Sequence, residues 1–350
     1  MPRFRDYYRQ FEEMPPEEVS LELRARREEE KRRALSRVEP LDLTGAGWFE
    51  PPHPEAVNAA TFALRRALNA YADVAPAREA VASRFGLAPE QVALGHGAGE
   101  LLRALLPRSG DVLVGWPGWQ PLPDLVAAAG ARAVPVPAED PSGAAASTIV
   151  LTSPADTTGA ALTRDALRAV CARAPAATVV VDEALGEFAD PAESAAGLVG
   201  ELPNLVVVRS FSKGHAMAGL RIGAALGPPA VVERLAPSGG LSAPAAAALA
   251  WAVSVRGVEL AAHRRAAAAA LHEQLAQGLA GMPFAAAPAS TVPFAWLASS
   301  GEEDGPAISA RLAARQVFVA PGTLWGDRRH VRAQLRGPHG VERLLSALAA

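Results

Sequence analysis

The chain has 350 residues, 50% of them hydrophobic, and a formal net charge of −3. That length is enough to bury a large core and more than one domain, and the small negative charge gives no electrostatic case for a nucleic-acid or membrane partner. A single cysteine, Cys171, excludes an intramolecular disulfide and points to a reduced cytoplasm, while no signal-peptide pattern opens the chain and no apolar run is long enough for a membrane span.

In chain order, residues 1–40 form a charge-dense N-terminal arm. Pro15-Pro16-Glu17-Glu18 reads as a helix start, and residues 24–33 alternate basic and acidic side chains, as on a solvated helix laced with ion pairs. A partner-docking arm is the sharper reading, and the segment is too short for a winged-helix DNA-binding domain. From Leu41 onward helical and strand patterns alternate. Residues 59–69 and 78–85 read as helices, 92–94 as a strand, 101–106 as a helix. Residues 112–114, 133–136 and 148–151 read as strands, with 125–129 helical between two of them. Cys171 lies in a helical pattern over 167–171 and reads as a packing residue. Two more strands, 178–181 and 205–208, complete a mostly parallel sheet covered on both faces. After Gly240 an alanine-rich stretch, 243–279, reads as one long helix. Short strands at 318–319 and 331–335, a turn at Pro321-Gly322 and a closing helix over 341–348 follow. The expected organisation is therefore an arm (1–40), a large α/β domain (41–240), and a long helix with a smaller C-terminal α/β domain (241–350).

Three segments carry chemistry. The first runs Ser210-Phe211-Ser212-Lys213-Gly214-His215 and reaches Arg221 through a glycine-flanked stretch. A lysine that forms a Schiff base needs an aldehyde, and hydroxyls with a guanidinium beside it suit the phosphate of pyridoxal phosphate. A surface turn is the alternative. The second is the valine-rich strand ending at Asp182-Glu183, which delivers a carboxylate to the C-terminal end of a buried strand, where ligands of parallel sheets sit. An acid there can keep a pyridine nitrogen protonated. The third is Gly95-His96-Gly97-Ala98-Gly99-Glu100, a glycine loop between strand and helix whose N–H groups can hold a phosphate, or an ordinary turn.

Together these segments resemble the fold-type I pyridoxal-phosphate enzymes, specifically the class I/II aminotransferase family, over most of the chain from Leu41. The nearest branch is that of the histidinol-phosphate aminotransferases and threonine-phosphate decarboxylases. The resemblance implies that Lys213 carries the cofactor and Asp182 pairs with its ring nitrogen. It implies that Ser210, Ser212, Arg221, Gly97, Ala98 and Gly99 bind the phosphate, and that Trp119 stacks on the ring, with Trp116 left to the core. Tyr71 matches the tyrosine that this branch lends to the neighbouring subunit's phosphate, which implies a homodimer with shared sites. Arg332 matches the arginine that forks onto the substrate α-carboxylate; Arg336 has the same strand parity and is a rival.

The chain departs from the family at two positions on the phenolic side of the ring. Asp156, in Ser153-Pro154-Ala155-Asp156-Thr157-Thr158-Gly159, replaces the asparagine that donates to the phenolic oxygen, and Leu185 replaces a tyrosine. A carboxylate there is repelled by a phenolate unless one of them holds a proton. The implied activity is transamination between an amino acid and a keto acid. A decarboxylase, a β/γ-eliminating or replacing enzyme, a cyclase, or a non-catalytic sensor are the alternatives. His263, His272 and His339 read as exposed, His96 and His215 as turn residues or acid/base groups. No histidine or cysteine spacing suggests a metal, and no Gly-x-Ser-x-Gly elbow suggests a serine hydrolase.

Overall fold

The valine runs build the centre of the molecule. Val179 and Val181 face one apolar layer with Leu167 and Leu249, while Val180, between them, faces the opposite layer with Leu101, Leu102 and Val126. Alternate residues of a strand point to opposite faces, so a sheet covered on both sides is apolar at every position. The computed structural model describes residues 39–67, 69–137, 146–235, 240–288 and 290–349. The described residues from Asp42 onward form one compact unit; the helix expected in the arm lies outside the described residues.

The large sheet has seven strands. From edge to edge they are β1 (Val92–Gly95), β7 (Gly223–Leu226), β6 (Leu205–Ser210), β5 (Thr178–Glu183), β4 (Thr148–Thr152), β2 (Asp111–Gly115) and β3 (Arg132–Val136). Strand β7 is antiparallel to both its neighbours, and the other pairings are parallel. Helices α1 (Pro54–Ala67) and α2 (Ala75–Phe85) precede β1 in the chain, and α3 (Ala98–Leu105), α4 (Leu122–Ala129) and α5 (Arg164–Arg173) lie between strands of the sheet. α1 and α2 start earlier than their apolar periodicity suggests, because Pro54 and Pro76 suit the first helical turn, where the missing N–H costs nothing. Cys171 is buried in the core, where loss of solvent pushes its thiol up to about 11.

The single helix expected over 243–279 is two. α6 (Ala243–Ala252) and α7 (Val255–Leu279) meet at 67°. Ser254 makes the break: its hydroxyl donates to the Trp251 carbonyl at 2.6 Å and accepts from Gly257 N–H at 3.4 Å, capping the new helix. Gly257 permits the corner, since a Cβ there would lie 2.2 Å from the Ala252 carbonyl oxygen. No single described helix is long and apolar enough to cross a membrane; α6 and α7 meet that length and composition only as this bent pair. His272, expected to be exposed, is buried on α7 with Nε2 3.0 Å from the Val292 carbonyl, and burial lowers its pKa.

A smaller antiparallel sheet follows, in the order β10 (Ala320–Pro321), β11 (His330–Gln334), β9 (Phe294–Ser299), β8 (Phe284–Ala286). Helices α8 (Gly305–Ala313) and α9 (Gly337–Ala349) accompany it in the chain. On β11, Arg332 is paired in register with Trp296 on one side and Ala320 on the other. Arg336 lies beyond the strand end, exposed, donating to the Asp42 carbonyl at 3.1 Å.

Candidate active site

Adjacent strand ends set the site. Asp182, the last residue but one of β5, lies beside Thr152 of β4 and Val208 of β6. Its main-chain oxygen accepts from Ser153 N–H at 3.0 Å and its Oδ1 from Ala184 N–H at 2.9 Å. Burial pushes its carboxyl up to about 6, against the pull of Lys213, with Asp156 and Glu183 adding to the rise.

The loop after β6 carries Lys213, and other elements hold that loop by its backbone. Trp48 N–H donates to the Lys213 carbonyl at 2.9 Å, and Arg264 Nη1, from α7, donates to the Gly214 carbonyl at 2.7 Å. Gly214 is required by packing, since a Cβ there would lie 2.4 Å from Glu187 Cβ. The lysine amine is thereby left 3.6 Å from Asp156 Oδ1. Ser210 and Ser212 are buried; Ser210 Oγ accepts from Ser212 N–H at 3.3 Å, and Ser212 Oγ has no partner.

The glycine loop meets the same region. Gly97 has φ +86° and precedes α3, so the first N–H groups of that helix have no partner within it. A Cβ on Gly97 would lie 2.7 Å from Arg221 Nη2, and one on Gly223 would lie 2.9 Å from Ala98 N. Arg221 itself is left-handed and exposed. The site of a Cβ on Gly99 is 3.5 Å from the Trp119 ring, which places Trp119 over the helix start. Gly97→Ala is expected to displace the Arg221 guanidinium and weaken retention of a phosphate ligand roughly tenfold or more, readable by equilibrium dialysis against pyridoxal phosphate.

Arg332 faces this group from the small sheet. Its guanidinium lies 4.4 Å from the Trp325 ring centre and 4.9 Å from that of Phe294. Nη1 donates to the Asp156 carbonyl at 2.9 Å and stands 3.0 Å from Asp156 Oδ1, and Nη2 donates to the Thr44 carbonyl at 3.3 Å. Burial lowers the Arg332 pKa, and Asp156 opposes that. A cleft of about 310 Å3 opens here, lined by Trp119, Pro121, Asp156, Leu324, Trp325 and Arg332, among others.

Lys213, Asp182, Asp156, Arg332, Trp119, the two serines and the glycine loop with Arg221 are thus gathered at one end of the sheet. Tyr71 is apart from them, fully exposed. Leu185 points into an apolar cluster with Trp48, Phe188 and Phe294. His215, read as a turn residue or acid/base group, is buried against Phe211 and Trp251, with Nε2 3.6 Å from Glu187 Oε2. Among the described residues no three His, Cys, Asp or Glu side chains are grouped to hold a metal ion.

Sequence reasoning missed the charged residues beneath the lysine loop. Arg209 pairs with Glu183 at 2.6 Å and with Glu187, all three buried, while Glu183 also accepts from Ser194 Oγ and Ala195 N–H. Burial alone would raise the Glu187 carboxyl; Arg209 and His215 outweigh it and hold the group well below the usual range. The available signal was Arg209 at the end of a valine strand, opposite a second acid after Asp182. Trp325 and Arg264 were also missed, each lying in a stretch without an informative local pattern.

A mostly parallel sheet bearing a lysine amine and a buried acid at its C-terminal end, with an arginine facing them from a second sheet, defines the aminotransferase fold. Solved structures share it. An aspartate aminotransferase double mutant from Thermus thermophilus superposes with a TM-score of 0.79 at 24% identity, covering 97% of each chain. A histidinol-phosphate aminotransferase from Sinorhizobium meliloti, in complex with pyridoxal-5′-phosphate, gives 0.77 at 23% identity, covering 90% of this chain and 92% of the other. The model of the family "Aminotransferase class I and II" matches residues 46–348, and the chain belongs to that family, whose members depend on pyridoxal phosphate. Histidinol-phosphate aminotransferase 1 of Bradyrhizobium diazoefficiens is 37% identical over 202 residues, 53% of this chain and 56% of that protein. An aromatic amino acid aminotransferase of Corynebacterium jeikeium is 35% identical over 262 residues, 67% of this chain and 69% of the other. The chain thus spans a little over half the length of the first of these relatives.

Proposed function

We infer that the protein is a pyridoxal-phosphate-dependent aminotransferase that carries its cofactor on Lys213 and binds an amino acid through Arg332. The observation that carries this reading is the meeting of the Lys213 amine and the Arg332 guanidinium at Asp156, with the buried Asp182 carboxyl close enough to feel Lys213 and a cleft lined by Asp156 and Arg332 beside them. The residues fit the cofactor. Ser212 Oγ is a buried hydroxyl without a partner, and Gly97 leaves room for Arg221 that a side chain would close. Ser210, Ser212, Arg221 and the N–H groups of Ala98 and Gly99 suit a phosphate. Asp182 suits a protonated pyridine nitrogen, Trp119 a ring face, and Asp156 the phenolic side.

Pyridoxal phosphate supplies an electron sink for the charge released at the substrate Cα. The chain does the rest. Arg332 fixes the carboxylate and so the direction of the Cα–H bond, Lys213 Nζ takes that proton as general base, and Asp182 keeps the ring nitrogen protonated. A keto acid accepts the amino group in the second half of the cycle. Among the described residues lining the cleft Arg332 is the one cation, beside Trp119, Pro121, Leu324 and Trp325, which supports an apolar or aromatic side chain over a phosphate ester. A screen of amino acids settles this: phenylalanine or tyrosine should convert with a keto acid at a kcat/KM at least about tenfold above histidinol phosphate, and the reverse order would refute the side-chain preference. A second reaction at the same Cα, decarboxylation or elimination, is favoured by Asp156, where the family has an amide donor; product analysis in deuterated solvent separates the two.

The buried thiol of Cys171 supports a reduced, cytoplasmic compartment. The full exposure of Tyr71 suits a residue that reaches a neighbouring copy's phosphate in a homodimer. Tyr71→Phe is then expected to weaken cofactor retention several-fold in the dialysis assay without changing the melting temperature of the apoprotein. Unaltered retention would remove the argument for shared sites.

A further inference from the structure

Asp156 occupies the arginine that the substrate needs. Its Oδ1 stands 3.0 Å from Arg332 Nη1 and 3.6 Å from Lys213 Nζ. Nη1 donates to the Asp156 main-chain oxygen, 2.9 Å away, and Oδ1, although close, is a buried carboxylate oxygen outside hydrogen-bond geometry. The other oxygen, Oδ2, accepts only a long bond of 3.4 Å from Trp325 Nε1. An ionised carboxylate in such a place depends on its two cations. A substrate carboxylate that takes Arg332 removes one of them and sets a second anion beside it. Two carboxylates at that range hold one proton between them.

We propose that Asp156 makes recognition of a carboxylate at Arg332 proton-dependent: the substrate anion displaces the Asp156 carboxylate from Arg332, and one proton is taken up on Asp156 as it enters. Protonated Asp156 becomes an O–H donor and recovers the role of the amide that the family places there. The charged groups around it are Lys213 on the loop after β6, Arg332 on β11 and Asp182 at the end of β5, which is close enough to feel its charge. Of these Asp182 and the Lys213 nitrogen are the rival acceptors for the proton, and the test must exclude both.

This proposal rests on the reading that Lys213 holds the cofactor and Arg332 the substrate. The test uses the holoenzyme and 3-phenylpropionate, a carboxylate without an amino group, with 3-phenylpropanol as the carboxylate-free control. Calorimetric titration in buffers of different ionisation heat counts the protons. The wild type is expected to take up about one proton per carboxylate bound, with affinity falling as the pH is raised. Asp156→Asn keeps the size and shape of the side chain; it should bind with no uptake, independently of pH, and about tenfold or more tighter at the alkaline end. The alcohol should bring no proton with either protein. Binding to the wild type without proton uptake overturns the proposal, and uptake that survives in Asp156→Asn overturns it in favour of Asp182 or the Lys213 nitrogen. Absence of carboxylate binding to both proteins while the cofactor absorbance band is present overturns the proposal together with Arg332 as the carboxylate anchor, and leaves Lys213 as the cofactor carrier. Absence of that band overturns the underlying reading.

Discussion

Lys213→Ala is expected to abolish turnover and leave the fold standing. Loss of a positioned general base costs about 100- to 10,000-fold in rate, and loss of the covalent tie to the cofactor adds to it. The loop should keep its course because it is held by carbonyls, through Trp48 N–H at 2.9 Å and Arg264 Nη1 at 2.7 Å, which the substitution does not touch. The lysine side chain is also a quarter exposed, so its removal opens no sealed cavity. Steady-state rates of the variant and the wild type, with the melting temperature of both apoproteins, read the two halves of this expectation. A variant with wild-type turnover would place the base elsewhere.

The largest loss of stability is expected for Arg209→Ala. Arg209 and its partners Glu183 and Glu187 are all less than a tenth exposed. Removing one member of a buried ion pair leaves an uncompensated charge and costs about 3–5 kcal/mol; here two carboxylates lose their cation together. Gly186 shows how tightly the group is enclosed, since a Cβ there would lie 2.0 Å from Arg209 Nη1. Glu187 also touches Gly214, so the defect should reach the lysine loop and weaken cofactor retention. A urea unfolding midpoint, compared with that of Arg328→Ala at the exposed Arg328–Asp304 pair, measures the difference. Equal shifts in the two variants would show that the buried network contributes nothing special.

Much of the fold was legible because its strands are valine runs buried on both faces, a pattern that leaves little freedom of assignment. The chemistry was legible where it sits on strand ends and glycine turns: Asp182, Gly97 and Lys213 are each marked by the element that delivers them. Arg332 was readable from its strand, and the choice against Arg336 required the strand end to be seen. What escaped was set by tertiary contact. The corner at Ser254 hides in an alanine-rich stretch whose helix propensity is high on both sides of the break. His272 lies among polar neighbours, and its burial depends on the Val292 carbonyl from a distant segment. The Arg209 network and the ion pair between Asp156 and Arg332 join residues 22 to 176 positions apart, and no local pattern reports such pairs. Asp156 was visible as a departure from the family, but its hold on Arg332 was not.

The account stands on which amine the aldehyde meets. The chain has two lysines, Lys31 and Lys213, so borohydride reduction of the purified protein followed by peptide mass mapping gives an unambiguous reading. The account predicts one phosphopyridoxyl group per chain, on Lys213. Label on Lys31, or none on either lysine after saturation with pyridoxal phosphate, would contradict it.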